Sequence, residues 1–409
     1  HRVYAVRMDG SRRQFLTATA LSAARVLGAN DRIRIAVVGT GGRGQWLMKA
    51  LQKTVPDGFQ FVAVCDIYDV RRAQASKLAG GVEQYVDYEQ VLARKDVDAV
   101  IVATPDHWHS TIATAALNAG KDVYIEKPMV HYPKDGQAIV KAARANKRIV
   151  QVGMQGRVLP QFVEAKQRYI DTGVIGKVGL ARAWYTSNTG YIQTPPEGNK
   201  TKPEGLDWNR WIGPGPKVDW NADIYFSPYK WLHYDGGMIM GIGIHVVDSA
   251  HHWLGLHTPA AAVCGGGTYF YKDGRDTPDV VTCVLDYPQQ VTVTFTAECL
   301  TAPGVKTSAG VELRGTGGTL LGERYDPNAG YTYTPNGRYS KEPAANVPMP
   351  ATNAELLLKN WLDCIRSRSR AVANEEEGYY SAIACFMANQ AYRTRSRVVW
   401  NPEWDLPAA

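Results

Sequence analysis

The stretch IRIAVVGTGGRG, residues 33–44, decides the fold of the first part of the chain. Its first half is apolar and β-branched, which is typical of a strand buried in a parallel sheet. The pattern G-x-G-x-x-G, formed by Gly39, Gly41 and Gly44, follows at once, and apolar residues at helical spacing continue over 45–53. A strand, a glycine turn and a helix in this order indicate a site where backbone amides hold the pyrophosphate of a dinucleotide.

An acidic residue, Asp66, follows the second predicted strand. It ends the apolar run FVAVC, residues 61–65, about 20 residues beyond the glycine turn. A carboxylate there accepts hydrogen bonds from the adenosine ribose and repels a 2′-phosphate, so the sequence favours NAD over NADP. Arg71 and Arg72 lie close by, and a role for Asp66 in capping the helix that begins near Asp69 stays open as an alternative.

Strands and helices continue to alternate as far as residue 152. Strands are predicted at 99–103, 123–125 and 148–152, with helices at 109–118 and 133–146. This rhythm indicates a doubly wound parallel sheet, which binds its ligands beyond the carboxyl ends of the strands. The predicted cofactor-binding residues, from the glycine turn and these strand ends, are Gly39, Gly41, Gly42, Arg43, Gly44, Asp66, Thr104, Pro105, His109, Glu126 and Lys127.

The pattern changes in the second part of the chain. Elements are predicted there as strands at 177–187, 260–263, 280–285 and 291–296, a polar surface segment at 322–350, and closing helices at 353–366 and 375–393. Strands that follow one another in this way indicate an antiparallel or mixed sheet.

The length and composition indicate two globular domains. The 409 residues exceed what one hydrophobic core usually holds, about 250–300 residues. We expect an NAD-binding Rossmann domain at 31–152 and a second domain at 153–409. The net charge of +7 is spread without a basic run, and no uncharged apolar stretch is long enough to span a bilayer. Neither a nucleic-acid partner nor a membrane span is therefore predicted.

Residues 1–30 have the character of a targeting segment or an N-terminal arm. The run SRRQFL, residues 11–16, precedes a mild apolar stretch, which resembles a twin-arginine export signal. Such a signal predicts a periplasmic or otherwise exported protein, whereas an arm packed on the folded body predicts a cytoplasmic one. The six cysteines are scattered without a C-x-x-C pair, which favours buried thiols, and a disulfide stays open if the protein is exported.

Four segments of the chain closely resemble the Gfo/Idh/MocA family, named for glucose-fructose oxidoreductase, inositol dehydrogenase and rhizopine catabolism. They are VVGTGGRG at 37–44, ATPDHWH at 103–109, AGKDVYIEKPM at 119–129 and GIHVVD at 243–248. The resemblance implies a Rossmann domain followed by an α/β domain with a large open, mainly antiparallel sheet. That sheet would support the substrate and form a homodimer or homotetramer.

The same resemblance implies an activity. The family's members mostly transfer a hydride between nicotinamide and the hydroxyl carbon of a sugar or polyol. Some relatives are NAD-dependent glycosidases, which pass through a transient keto-sugar and retain the cofactor, and this stays open as the alternative. A cofactor-holding scaffold with a disabled site is a third possibility. The segment 204–214, EGLDWNRWIGP, resembles a branch whose members often bear twin-arginine signals.

Two catalytic residues follow from the resemblance. Lys127 matches the catalytic lysine of E-K-P, and His245 matches the histidine of D-x-G-x-H-x-x-D. An ammonium group can steady a developing oxyanion, and an imidazole can exchange the hydroxyl proton. The chain departs from the pattern at Gly241, which stands where the family has its first acid. Asp248 and Asp235 are the candidate substitutes.

Substrate-binding residues are predicted at the domain crossing and beyond it. Trp208 and Trp211 are interpreted as core anchors, while aromatic rings elsewhere in this region can stack on sugar C–H faces. The predicted substrate-binding residues are Gln155, Arg157, Tyr191, Trp231, Tyr234 and Asp248. No metal site is predicted, although His245, Asp248 and His252 share one helical face, because an H-E-x-x-H pattern is absent.

Overall fold

The computed structural model describes residues 32–186, 200–299, 309–324, 330–348 and 355–407. The predicted export signal at 1–30 and the predicted substrate residue Tyr191 lie outside these ranges. Over the described ranges, none of the helices combines the length and apolar character that crossing a lipid bilayer requires.

The first domain is a doubly wound parallel sheet, as predicted. Within the described residues it has six strands in the order β3-β2-β1-β4-β5-β6. The strands are Ile33–Val38 (β1), Phe59–Cys65 (β2), Glu83–Tyr85 (β3), Ala99–Val102 (β4), Asp122–Ile125 (β5) and Val150–Val152 (β6). The helices between them are Gly42–Thr54 (α1), Asp69–Leu78 (α2), Tyr88–Leu92 (α3), His109–Asn118 (α4) and Pro133–Asn146 (α5). The order reverses between β1 and β4, where such sheets bind their ligands.

The second domain is a mixed sheet that is mainly antiparallel. Among the described residues it has nine strands in the order β14-β13-β12-β11-β7-β10-β9-β8-β15, and only β7 and β10 pair in parallel. The strands are Val178–Thr186 (β7), Ala261–Gly267 (β8), Val280–Tyr287 (β9), Val291–Glu298 (β10), Ala309–Gly315 (β11), Gly318–Arg324 (β12), Gly330–Pro335 (β13), Ala345–Pro348 (β14) and Val398–Val399 (β15).

The prediction of a polar surface segment at 322–350 is wrong. Strands β13 and β14 lie in that segment and extend the sheet. Tyr331 and Tyr333 of β13 are 2% and 0% exposed, and Tyr333 stacks on Tyr169 at 4.3 Å between ring centroids. The alternating tyrosines bury one face of β13, and the polar residues between them concealed that pattern.

The described residues of the second domain also form helices, some of which pack on its sheet. They are Pro160–Ala165 (α6), Trp208–Ile212 (α7), Ala222–Phe226 (α8), Ile244–Leu254 (α9), Glu355–Ser367 (α10) and Glu375–Thr394 (α11). Helix α9 lies against the central strands, with Trp253 packed on Phe162 at 4.9 Å.

The last two helices also return to the first domain. Helix α10 packs on α1 and helix α11 on α5, and Trp361 meets the Tyr124 ring of β5 edge-on at 5.7 Å. The backbone amide of Val152 donates to the carbonyl oxygen of Ala373 at 2.7 Å. The region 153–409 therefore contains the whole second sheet and also a covering layer for the Rossmann domain.

The cysteines are of two kinds. Cys264 and Cys283 are cross-strand partners on β8 and β9 and form a disulfide. Cys65, Cys364 and Cys385 are buried thiols, as predicted. The alternative of a disulfide, which the sequence left open, is the one that the structure adopts for this pair.

Candidate functional site

The glycine turn fits the backbone of a bound dinucleotide. Gly39 has a φ of +87°, and a Cβ atom on it would lie 2.5 Å from the carbonyl carbon of Ala103. A Cβ atom on Gly44 would lie 2.1 Å from the carbonyl oxygen of Gly39, so only glycine allows α1 to start so close to β1. The amino end of α1 has no side-chain cap, which leaves its amides for an anion.

A cleft of about 490 Å³ extends from this turn along the carboxyl ends of the strands. Seven of the predicted cofactor-binding residues line it: Gly39, Gly41, Gly42, Arg43, Asp66, Thr104 and Pro105. Gly44 is not part of the lining but allows α1 to pack close to β1. Four residues that were not predicted also line the cleft from the second domain: Leu206, Arg210, Trp211 and Tyr225.

Asp66 lies at the end of β2 with its carboxylate partly satisfied by backbone. Its Oδ2 accepts hydrogen bonds from the Thr40 amide at 2.7 Å and the Thr40 hydroxyl at 3.2 Å. Its Oδ1 accepts from the Tyr68 amide at 2.9 Å. A carboxylate has about four lone-pair sites, so acceptor capacity remains for ribose hydroxyls. Arg72 is held by Asp69 and by the Asp66 carbonyl oxygen, whereas Arg71 lies beside Gly41 on the cleft wall.

A segment of the second domain closes over the cleft. The Asp69 amide donates to Gly205 and the Asp207 amide donates to Ile67, each at 3.2 Å. The indole of Trp108 donates to the carbonyl oxygen of Trp211 at 2.8 Å. Trp208 stacks on Trp211 with 4.9 Å between centroids, as expected for core anchors. The sequence did not predict the contact between Trp108 and Trp211, because the two residues are far apart in the chain.

Glu126 and His109 support the site from beneath it. Glu126 is 5% exposed and accepts from Arg43 Nε at 2.8 Å, which places the Arg43 guanidinium over Trp46 beside the glycine turn. His109 contacts the carbonyl oxygens of Thr104 at 3.0 Å and Pro128 at 2.7 Å. These contacts tie the ends of β4 and β5 together, so we assign both residues a positioning role.

Lys127 and His245 are brought together from different domains. Lys127 Nζ donates to the carbonyl oxygen of Gly241 at 2.8 Å, and Gly241 lies four residues before His245 in the same helical stretch. Burial, reinforced by the charges of Arg324 and Lys127, lowers the pKa of His245 well below its usual range. Its Nδ1 is shielded from solvent and makes no hydrogen bond within the described part of the chain. A neutral imidazole can accept a hydroxyl proton.

Asp235 occupies the space that the departure at Gly241 leaves empty. A Cβ atom on Gly241 would lie 2.6 Å from Asp235 Oδ1. Burial and the charge of Asp106 raise the pKa of Asp235 to about 7, against the opposing charge of Lys127. Burial also raises the pKa of Asp106 to about 6. Asp106 was missed by the sequence analysis, although its place in ATPDHWH, just beyond β4, is a signal for it.

Arg157 and Asp248 are paired with each other. They are 4% and 1% exposed, and two Arg157 nitrogens donate to Asp248 at 2.7–3.1 Å. Glu377 and Ser381 of α11 complete the network. The geometry does not support the prediction that Arg157 and Asp248 bind substrate, because each is satisfied inside the protein. It also leaves Asp248 unable to replace the acid missing at Gly241.

The other predicted substrate residues divide by burial. Tyr234 is 4% exposed and packs between His107 and Trp211, which makes it part of the aromatic core. Trp231 is half-buried, and its indole nitrogen has no acceptor in the residues that the structure describes. Gln155 is also half-buried at the domain crossing. Trp231 and Gln155 therefore remain the candidate substrate contacts.

Comparison with known proteins places the chain in a family. The model of an oxidoreductase family with an NAD-binding Rossmann fold, GFO/IDH/MocA, matches residues 33–154. The model of the GFO/IDH/MocA C-terminal domain matches residues 212–321. The first domain is thus an NAD-binding Rossmann domain, as predicted.

Curated relatives are named as inositol dehydrogenases. The inositol 2-dehydrogenase of Salmonella typhimurium is 35% identical over 185 residues, 44% of this chain and 54% of that protein. The scyllo-inositol 2-dehydrogenase (NAD+) of Bacillus subtilis is 34% identical over 146 residues, 36% of this chain and 42% of that protein. The match spans about half the length of these relatives. Neither name supports the glycosidase alternative.

Solved structures agree in fold over nearly the whole chain. Levoglucosan dehydrogenase in complex with NADH and levoglucosan has a TM-score of 0.66 and 19% identity, covering 90% of this chain and 99% of that chain. A putative NADPH-dependent oxidoreductase from Desulfitobacterium hafniense has a TM-score of 0.70 and 15% identity, covering 90% and 97%. Similarity at this identity concerns the fold, and it confirms the two-domain architecture.

Proposed function

Because this chain belongs to the Gfo/Idh/MocA oxidoreductase family, we propose that it oxidises or reduces a hydroxyl carbon of a sugar or polyol with NAD. The observation that carries the proposal is the approach of Lys127 to Gly241 O, 2.8 Å, beside His245 at the end of the nucleotide cleft. Cyclitols are the first substrates to test, since the curated relatives are inositol dehydrogenases by name.

Each residue of the site has its own role in the proposed reaction. NAD, held at the glycine turn and Asp66, would supply the acceptor or donor of the hydride when bound. The Lys127 ammonium donates to the substrate oxygen and stabilises negative charge on it as the C–H bond breaks. The neutral His245 accepts the hydroxyl proton and returns it in the reverse direction. The ion pair between Arg43 and Glu126 fixes the position of the glycine turn relative to Lys127 and His245.

The test is NADH formation, followed by absorbance, with a panel of cyclitols and sugars. Lys127→Ala and His245→Ala should each lower kcat by about a hundredfold or more, since each removes an acid–base group. Lys134→Ala, an exposed lysine on α5, is the matched control and should keep wild-type turnover. NADH binding, measured by fluorescence, should persist in all three variants. No turnover with any polyol, or full turnover in both site variants, contradicts the proposal.

We propose in addition that the protein is exported by the twin-arginine route. The motif at 11–16 supports this, and so does the disulfide between Cys264 and Cys283, a bond that persists in oxidising compartments. Cell fractionation with N-terminal sequencing is the test. A protein found in the cytoplasm with its first residues intact contradicts it.

Self-association through the nine-stranded sheet is proposed as well. Helix α9 covers one face, while the other carries Val263, Thr282 and Thr296, all exposed in the single chain. Light scattering coupled to size-exclusion chromatography should give a dimer or tetramer mass. Thr282→Arg should lower that mass, and a monomeric wild type contradicts the proposal.

A further inference from the structure

A carboxylate from one part of the chain fills a gap in another. Gly241 lies in the helical turn Ile239–Gly243, where its backbone conformation does not require glycine. The atom nearest to its missing Cβ is Asp235 Oδ1, at 2.6 Å, and the next are other atoms of the same carboxyl group. A carboxylate therefore stands beside residue 241, although residue 241 has no side chain.

Two further titratable groups continue from that carboxylate. His131 Nε2 lies 3.5 Å from Asp106 Oδ2, and Asp106 is close enough to Asp235 to raise its pKa. Asp106 Oδ2, His131 Nε2 and Asp235 Oδ1 are each shielded from solvent, and within the described ranges none makes a hydrogen bond. Buried polar atoms usually have partners. Three such atoms without a hydrogen bond, two of which face each other at 3.5 Å, indicate a cluster that exchanges protons or holds water.

The cluster has an outer end at the surface. A pocket of about 190 Å³ is lined by Asp106, His131, Asp135 and His233, among others, and reaches Tyr132, which is 41% exposed. The inner end is at Lys127, whose charge acts on both Asp106 and Asp235. One line of titratable groups thus runs from the site of the proposed reaction to solvent.

We propose that Asp235, Asp106 and His131 form a proton relay between the substrate site and solvent, in which Asp235 replaces a carboxylate on residue 241. This inference rests on the proposed function, because the proton it carries is the one released from the substrate hydroxyl.

The step balances for one substrate molecule. The substrate C–H bond breaks with its electron pair, which NAD+ would accept as a hydride when bound, while the O–H bond breaks and His245 takes the proton. Asp235 accepts that proton and passes one to Asp106, Asp106 passes one to His131, and His131 releases one to water in the pocket. A single proton reaches solvent, and each relay group returns to its starting state.

Other charged and titratable groups face the relay and set its behaviour with pH. They are Glu126, Lys127, His109, Asp135, His107 and His233. Burial lowers the pKa of His131, so its imidazole releases a proton readily at neutral pH.

A carboxylate exchange tests the position of Asp235. Asp235→Ala should lower kcat by about a hundredfold. In the double variant Asp235→Ala/Gly241→Asp, the helix that carries residue 241 supplies a carboxylate to the space that Asp235 has left. The kcat of this double variant should be at least tenfold higher than that of Asp235→Ala. NADH affinity should be unchanged throughout. Wild-type kcat in Asp235→Ala, or no recovery in the double variant, overturns the proposal.

The outer half of the relay is tested by proton-transfer kinetics. His131→Asn should change the pH profile of kcat and increase the solvent deuterium isotope effect, because proton release becomes rate-limiting. Ser110→Ala alters the same pocket without removing a titratable group and should leave both quantities as in the wild type. An unchanged profile and isotope effect in His131→Asn overturn the relay.

A titration separates the relay from the proposed activity. In cofactor-free protein labelled with ¹³C at the aspartate carboxyl carbon, the Asp235 resonance should titrate well above the ordinary aspartate range near pH 4. Asp106→Asn should move its midpoint to lower pH, because a neighbouring negative charge is removed. This result can stand even if no polyol is oxidised, in which case the proposed function alone fails. A midpoint near 4, or one that ignores Asp106→Asn, rejects the relay.

Discussion

Lys127 Nζ and the Gly241 carbonyl oxygen lie 2.8 Å apart and join the two domains at the reaction site. The lysine comes from the end of β5 in the first domain, and the carbonyl belongs to the helical stretch that carries His245 in the second. The ammonium group is therefore positioned by the second domain even though it is supplied by the first. Any change in the angle between the domains alters the geometry of the catalytic pair.

The two glycines of the turn should respond differently to substitution by alanine. Gly44→Ala should lower the free energy of unfolding by several kcal/mol and weaken NADH binding, because its Cβ would overlap the Gly39 carbonyl oxygen. Gly42→Ala is the matched control for stability, since no protein atom lies within 4 Å of its Cβ position. Thermal unfolding and NADH titration of both variants provide the measurement. Equal loss in both would show that the turn is not limited by packing.

Asp66→Asn should change the preference between cofactors. The amide keeps the shape of the side chain but loses the charge that accepts from ribose hydroxyls and repels a 2′-phosphate. We expect the NADH dissociation constant to rise about tenfold or more, since hydrogen bonds to charged groups contribute roughly 1.5–3 kcal/mol. The NADPH dissociation constant should fall relative to the NADH dissociation constant. A ratio of the two constants equal to that of the wild type contradicts this.

Breaking the buried Arg157–Asp248 pair should destabilise the protein without a specific effect on substrate. Asp248→Ala leaves a buried guanidinium with fewer partners and should cost about 3–5 kcal/mol in the free energy of unfolding. Asp98→Ala removes the partner of Arg34 in a pair that is 37% and 38% exposed, and should cost about 1 kcal/mol or less. Denaturant unfolding compares the two. A rise in substrate KM for Asp248→Ala, with little loss of stability, would restore its role as a substrate contact.

The buried carboxyl of Asp235 should make stability depend on pH. In the unfolded chain it ionises near pH 4, whereas in the folded protein it holds its proton until about pH 7. The folded state binds more protons between these values, so the free energy of unfolding falls as pH rises through that window. Asp235→Asn removes this term. The Tm of Asp235→Asn minus that of the wild type should therefore be higher at pH 8 than at pH 5. The same Tm difference at both pH values contradicts the prediction.

The first domain could be predicted from the sequence because its signals are local. The run at 33–44 determines a strand, a turn and a helix that are adjacent in the chain, and the structure has them within a few residues of the predicted bounds. Asp66 was found in the same way, from its distance to the glycine turn. In parallel sheets the ends of strands converge at one edge, so Lys127 could be placed at the site as well.

The rest of the site depends on contacts between remote segments. Arg157 and Asp248 have the residue types of a substrate site, and only the fold shows that each satisfies the other. Trp211 and Tyr225 could not be assigned to the cleft, since nothing local predicts that 204–226 crosses to the first domain. Asp235 was identified as a substitute for the missing acid, but its partners Asp106 and His131 follow different strands of the first domain.

The return of α10 and α11 to the first domain determines the order in which a newly made chain can mature. Leu357, Leu358, Trp361 and Leu362 are wholly buried, and part of what they cover is the helix that starts at the glycine turn. While the ribosome is still making the sheet of the second domain, that surface stays open to water and to chaperones. We therefore expect stable nucleotide binding to be a late event in biogenesis, and a fragment that ends before residue 355 to aggregate rather than bind nucleotide by itself.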